Sequence, residues 1–294
     1  MITAPSSFRR MPRWWHDEPG RAWLDRLPAL VARRCEDWGL EVDGDPVHGS
    51  NALVVPVRQG TLGAALRLSP PGDDLALECA ALRHWDGRGV VELLDSDEAA
   101  GVMLLERLDP SRSLSAQTPQ RSAAVLGTLT RTLAVPAPET VPSTGEIAAD
   151  EARAATARWE ALGEPVPRTL LEAGIAAAGR RAADDPGHGS VDGDLHDQQV
   201  LAGTRHRWTV VDPVLLRGDR EYDVGRVLWS RLDELPADED VRGALGAFVE
   251  AAQIPPGRAR DWVLVRSLSY LLWGLEHGLT RDPPKCRRLL ELFA

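Results

Sequence analysis

Lysine is almost missing from this chain. Lys285 stands alone among 34 Lys and Arg residues, so any role that other proteins give to an ammonium falls here to a planar, forked guanidinium. Cysteine is nearly as scarce. Cys35, Cys79 and Cys286 are odd in number and far apart, which excludes a disulfide framework and offers no zinc spacing. Long apolar runs are lacking too. No stretch approaches a membrane span, and Met1 to Arg13 has no apolar core of a secretory signal; no membrane partner and a cytoplasmic location are therefore expected. Positive charge is in deficit, with 44 acidic residues against 34 basic and a net charge of −10. Nucleic acid is thereby excluded as the expected partner. The deficit suits a cationic small substrate, and it serves solubility equally well. Cutting the chain after Leu108 gives 17 acids against 12 bases, then 27 against 22, so both parts are net −5 and charge locates no pocket.

What is present suffices for one large domain or two lobes, since 294 residues can bury a large core. Residues 1–20 show no periodicity and read as a surface arm, with Trp14 or Trp15 inserted into the body. From Arg21 to Trp38, the apolar Trp23, Leu24, Leu27, Leu30, Val31, Cys35 and Trp38 recur at helical spacing. Three β-like runs follow, around 40–42, 52–57 and 64–68, punctuated by Gly44, Gly49, Gly60 and Gly63. Asp73 or Asp74 then caps a helix to about Trp85, and strands are expected at 90–94 and 102–107. After Asp109-Pro110 the pattern turns helical, at 117–134, 146–162 and 166–182. Helices resume at 221–234, 238–253, 256–279 and 284–293.

Between those helical blocks lies the most informative stretch, Val191-Asp192-Gly193-Asp194-Leu195-His196-Asp197-Gln198-Gln199-Val200-Leu201, followed by Trp208-Thr209-Val210-Val211-Asp212-Pro213. It reads as a polar loop entering a short strand, then a second strand ending in an acid. A hairpin over about 190–212 brings Asp194, Gln199 and Asp212 towards one point. An acid, an amide and a second acid in that order is what phosphoryl transfer needs. One acid orients or deprotonates a hydroxyl, while the amide oxygen and the other acid supply hard ligands for Mg²⁺. Upstream, Val47-His48-Gly49-Ser50-Asn51-Ala52 is a candidate nucleotide loop, because backbone N–H groups of a glycine turn at Gly49 and Ser50 can approach phosphates. It fits an ordinary hairpin as well.

The central stretch resembles the aminoglycoside phosphotransferase family, a branch of the kinase-like fold. The family signature is His-Gly-Asp-Leu-His-x-x-Asn, then a strand ending in Asp. This chain keeps Gly193, Asp194, Leu195 and His196, with Asp192 in place of the His and Gln199 in place of the Asn. Trp23-Leu24, Leu27-Pro28, Leu104-Leu105-Glu106-Arg107-Leu108 and Leu272-Trp273-Gly274-Leu275-Glu276-His277-Gly278 resemble the streptomycin- and hydroxyurea-phosphorylating branch. The resemblance implies an α+β, bilobal, protein-kinase-like fold. Residues 1–108 would form a small antiparallel-sheet, nucleotide-binding lobe, and 109–294 a larger, mostly helical lobe carrying the catalytic loop and substrate pocket.

The same resemblance assigns roles. Asp194 is the catalytic acid, and His196 either faces the γ-phosphate as a cation or is structural. Gln199 and Asp212 hold metal. Arg67 takes the place of a phosphate-binding lysine in the third strand, paired with Glu78, and the backbone near Glu106 and Leu108 reads the adenine edge. Asp192 and Asp223 brace the loop; Asp223 also suits a helix cap. Asp197 and Glu276 are candidates to meet substrate amines or guanidines, whereas Arg217, Asp219 and Glu221 read as solvated loop charges. The expectation is an ATP- and Mg²⁺-dependent kinase, with GTP left open, phosphorylating a hydroxyl of an aminoglycoside-like, cationic small molecule. Two alternatives stand beside it. Gln199 would suit a metabolic sugar, amino-sugar or natural-product kinase. The departures at Asp192, Gln199 and Arg67 would suit a nucleotide-binding pseudokinase. The oligomeric state is left open.

Overall fold

A computed structural model describes residues 2–49, 51–184 and 187–294. The chain forms two compact units, one reaching to Asp109 and including Gly203–Arg205, the other holding the rest.

In the first unit, helix α1 (Ser6–Arg9) and helix α2 (Glu18–Asp37) precede the strands β1 (Glu41–Val42), β2 (Val47–His48), β3 (Leu53–Gln59) and β4 (Leu62–Leu68), then helix α3 (Leu75–Trp85) and strands β5 (Leu93–Asp97) and β6 (Val102–Glu106). The strands form one antiparallel sheet in the order β1-β3-β4-β6-β5, with β2 also on β3. Alternation along β3 turns Leu53, Val55 and Val57 inward. They meet Trp23, Leu24, Leu27 and Val31, the apolar stripe of α2. Asp17 caps that helix by accepting from Gly20 N at 2.8 Å. Pro28 lies inside α2 and cannot donate to the carbonyl four residues back. Arg9 fills the gap, donating to Leu24 O at 3.4 Å.

That contact ties in a segment expected to lie on the surface. Phe8 is fully buried and Trp14 is 2 % exposed. The Trp14 indole donates to Phe8 O at 2.7 Å, while Trp15 stays in solvent. The arm is thus part of the core. The insertion of Trp14 matches one of the two expected anchors; Phe8 went unread because the burying residues come from two short turns, without a repeating period. The strand expected at 90–94 begins instead at Leu93, with an irregularity between Leu93 and Asp95.

The second unit carries strand β7 (Asp109–Ser113), helices α4 (Pro119–Leu133), α5 (Thr144–Ala161) and α6 (Arg168–Ala183), the short strands β8 (Ser190–Asp192), β9 (Val200–Ala202), β10 (Thr209–Val210) and β11 (Leu215–Arg217), then helices α7 (Val224–Ser230), α8 (Asp238–Ala252), α9 (Pro256–Glu276) and α10 (Asp282–Phe293). Ser143 and Glu146 form a capping box at the start of α5. Helix α4 lies against α8 so closely that a side chain on Gly127 would meet Phe248 O at 2.5 Å.

The helix expected over 221–234 is cut to α7, because its flanks are committed elsewhere. Asp219 and Glu221, expected as solvated loop charges, are 2 % and 5 % exposed. The Trp262 indole donates to Asp219 at 2.7 Å, and the Asp219 N–H donates to Thr144 Oγ at 2.9 Å. Arg258 pairs with both acids. Among the described residues, no helix is long and apolar enough to cross a membrane.

Candidate functional site

The first unit places Arg67 on β4, the fourth strand rather than the third because β2 is a separate short strand. Arg67 is 7 % exposed. It donates to Ser69 Oγ at 2.8 Å and pairs with Glu78, in the first turn of α3, at 2.9 Å. A guanidinium held from two sides in this way is pre-aimed, as a phosphate ligand needs to be. Gly49 behaves as a hairpin residue. Its N–H donates to Ala52 O at 3.2 Å, so it is not available to a phosphate as expected; Ser50 lies outside the described residues. Glu106 closes β6 with its N–H on Glu92 O at 2.9 Å, and Leu108 is half-buried two residues on.

In the second unit, β8 pairs with β11 and β9 with β10. The stretch from Asp192 to Gln199 therefore joins a two-stranded sheet, β11-β8, to a three-stranded one, β10-β9-β7, and Gly193 N–H donates to Val214 O at 2.8 Å across its mouth. The backbone of Gly193 lies close to β11, where a Cβ would meet the Leu216 side chain at 2.7 Å. Asp192 ties the loop down from beneath: one carboxyl oxygen accepts from Asp194 N at 3.2 Å and Val214 N at 3.0 Å. Its other oxygen is buried without a partner. Burial pushes its pKa up to about 7, only partly opposed by those two N–H groups. Asp223 accepts from Leu195 N, and burial followed by the Asp192 charge raises it well above the carboxylate range. It makes no side-chain cap for α7, so the capping alternative is not realised.

Asp194 is partly exposed, and Arg226 Nε donates to it at 2.9 Å. Burial raises its pKa, and the Arg226 and Arg266 charges pull it down. Sequence reasoning missed both arginines. Arg226 sits on α7 and Arg266 on α9; Gly225 lets the two helices meet, since a Cβ there would strike Arg266 Cβ at 2.8 Å. Arg266 donates to Tyr222 Oη at 2.6 Å and to Gly193 O at 3.4 Å. No spacing rule pairs residues 194, 226 and 266.

His196 does not fit the cationic role. Burial, then the Arg226 charge, lowers its pKa to about 3. Its Nδ1 accepts from Gln198 N at 3.3 Å, and its Nε2 lies 3.8 Å from Asp194. It is a neutral ring that shapes the loop. Asp197 does not face a substrate either. It is 3 % exposed and bound to Ser230 Oγ at 3.3 Å, with Arg231 at 3.8 Å. Glu276 is engaged by both Nε and Nη2 of Arg158 at 2.9 Å, so its charge is already matched.

The β9–β10 hairpin brings Gln199 to Asp212. The Val211 N–H donates to Gln199 O at 2.7 Å, and the Gln199 amide donates to Asp212 O at 3.3 Å. The latter bond turns Gln199 Oε1 the other way, where it is buried with no hydrogen-bond partner. Asp212 adopts φ +53°, a left-handed conformation that costs on the order of 1–3 kcal/mol outside glycine and gathers at functional sites. A partnerless amide oxygen and a carboxylate are the hard donors that Mg²⁺ takes, with water and phosphate completing its shell. Among the described residues, no three His, Cys, Asp or Glu side chains form a metal cluster.

Comparison with known proteins gives a consistent result. A family model described as aminoglycoside/hydroxyurea antibiotic resistance kinase matches residues 37–278. The chain is 38% identical over 284 residues to streptomycin 6-kinase of Streptomyces griseus, covering 94% of this chain and 92% of that one. It is 38% identical over 300 residues to hydroxyurea phosphotransferase of Kitasatospora aureofaciens, covering 97% and 84%. Among solved structures, aminoglycoside phosphotransferase APH(4)-Ia superposes with a TM-score of 0.65 at 17% identity, over 91% of this chain and 99% of that one. A thermostable mutant of that enzyme, in ternary complex with AMP-PNP and hygromycin B, gives the same score and identity over 90% and 98%. Choline kinase LicA from Streptococcus pneumoniae gives 0.57 at 11% identity, over 90% and 98%. At such identities the solved structures establish the kinase-like fold alone.

Proposed function

The chain belongs to the aminoglycoside/hydroxyurea antibiotic resistance kinase family, and on that premise we propose that it is an ATP-dependent phosphotransferase acting on a hydroxyl of an aminoglycoside-like small molecule. The observation that carries the reading is Gln199, whose amide nitrogen is bonded to Asp212 O and whose Oε1 is unsatisfied, in the segment that follows Asp194. Asp194 orients the acceptor hydroxyl and takes its proton, with Arg226 holding the carboxylate in one orientation. Gln199 and Asp212 would hold Mg²⁺, which would supply positive charge to the phosphoryl oxygens. Arg67, steadied by Glu78, binds nucleotide phosphate. Asp192 and Asp223 fix the backbone of the loop through the N–H groups of Asp194, Val214 and Leu195.

Catalysis of this kind is mostly positioning and electrostatics, and the two buried carboxyl groups under Asp194 serve the first. Phosphorylation adds negative charge and bulk to a cationic drug, which gives the activity its meaning in antibiotic resistance. The test is ADP release with ATP and Mg²⁺ across aminoglycosides, amino sugars and hydroxyurea. Asp194→Ala should abolish acceptor-dependent turnover while leaving nucleotide binding intact. Undiminished turnover in that variant refutes the assignment. Nucleotide binding with no turnover of any acceptor favours a pseudokinase instead.

A further inference from the structure

The guanidinium groups around the catalytic loop are mostly spent on carboxylates. Arg226 takes Asp194, Arg231 takes Glu234, and Arg258 takes Asp219 and Glu221. Arg266 on α9 is different. It is half-buried, yet it makes no salt bridge among the described residues. Its Nη1 donates to Tyr222 Oη at 2.6 Å, its Nη2 donates to Gly193 O at 3.4 Å, and its Nε is buried with no partner. The guanidinium lies over the Tyr222 ring, 4.2 Å from its centre. A desolvated cation spent on a phenol and a carbonyl contributes little to folding, so its place needs another reason.

The carbonyl that Arg266 holds belongs to the peptide joining Gly193 to Asp194. A peptide is planar, so its C=O and N–H turn together. The N–H of that same peptide is Asp194 N, which donates to Asp192 at 3.2 Å. On the other side of Asp194, the N–H of Leu195 is held by Asp223. Both planes flanking the Asp194 Cα are thus gripped, and Arg266 supplies the grip on the carbonyl. A grip is needed there, because without a Cβ at Gly193 this peptide turns over at little cost. Tyr222 is fixed in its turn. Its ring packs edge-on against Trp262 at 4.9 Å, and the Trp262 indole donates to Asp219, which Arg258 also binds. Burial raises the Tyr222 phenol, with the Arg266 charge opposing, so its oxygen meets Arg266 as a neutral acceptor.

We propose that Arg266 is a positioning residue for phosphoryl transfer: it clamps the Gly193 carbonyl and so sets the direction in which Asp194 presents its carboxylate, while Tyr222 aims Arg266 at that carbonyl. This rests on the kinase reading above and adds to it two residues that act through Asp194. Arg226 grips the carboxylate, and Arg266 grips the backbone that carries it. A misplacement of about 1 Å in a reacting group costs on the order of a hundredfold in rate. The clamp therefore matters more to turnover than to stability.

The experiment compares Tyr222→Phe, Arg266→Met and the double variant, each in the full chain. One readout is ADP release with ATP, Mg²⁺ and either streptomycin or hydroxyurea; the other is amide hydrogen exchange across residues 192–199. Arg266→Met should lower kcat about a hundredfold and leave the KM for ATP unchanged. Tyr222→Phe keeps the cation and removes only its aim, and should lower kcat about tenfold. The double variant should be no slower than Arg266→Met, because Tyr222 acts only through Arg266. Exchange should quicken in all three variants. An unchanged kcat in Tyr222→Phe overturns the inference, as do losses that simply multiply in the double variant, or exchange no faster than in wild type. A fall in kcat matched by a rise in the KM for ATP makes the pair merely structural and overturns it too. A wild type that binds nucleotide but turns over neither acceptor counts against the kinase reading itself, and exchange then decides the clamp by itself.

Discussion

Replacing Asp192 with Asn should make the protein more stable, increasingly so as pH rises. The side chain is fully buried, and its pKa is raised from the ordinary 3.8 to about 7. Between those two values the unfolded chain has lost the proton and the folded chain keeps it. The folded state therefore binds more protons, and stability is greatest in acid and falls as pH climbs through about 7. Each pH unit in that interval costs about 1.4 kcal/mol, so the whole interval costs about 4 kcal/mol. Asp192→Asn removes the ionisation. It keeps the oxygen that accepts from Asp194 N and Val214 N, and it replaces the partnerless oxygen with a donor. Asp223, whose own carboxyl is raised partly by Asp192, should relax with it. The assay is urea unfolding of both proteins from pH 4.5 to 8. The variant's advantage should grow by about 3–4 kcal/mol over that range. A pH-independent difference, or a variant that loses stability at high pH, would refute the account of a buried, largely uncompensated carboxyl.

Two other expectations follow from single contacts. Phe8→Ala should cost about 3–5 kcal/mol, because Phe8 is completely buried and packs edge-on against both Trp14 and Trp23; a change under 1 kcal/mol in thermal or urea unfolding would return the arm to the surface. Arg226→Ala should shift the acidic limb of the kcat/KM profile to higher pH, since Arg226 is the main influence opposing burial at Asp194. An unmoved limb would mean that the limb belongs to another group.

The helices α2, α3 and α4 were legible within a few residues. The apolar positions of α2 recur at 3 and 4 residues, and Asp74, one of the two expected caps, starts α3. The loop from Asp192 to Gln199 was legible as a motif, but the expected hairpin over 190–212 is only the β9–β10 pairing that joins Gln199 to Asp212, because the strand before Asp194 pairs instead with β11. Asp219 and Glu221 could not be read as buried, for the groups that bury and pair them, Trp262 and Arg258, lie on α9, some forty residues away. His196 offered no way to separate a cation from a neutral ring, because the difference is made by burial and by Arg226.

The sequence by itself determined the family and the main run of helices. Those are properties of periodicity and of neighbours along the chain. The tertiary structure decided which charges are spent. It placed Arg226 and Arg266 on Asp194, gave Glu276 to Arg158, and sank Asp197 beside Arg231. Charge pairing and desolvation depend on distance in space, and in this chain those partners come from helices separated by dozens of residues.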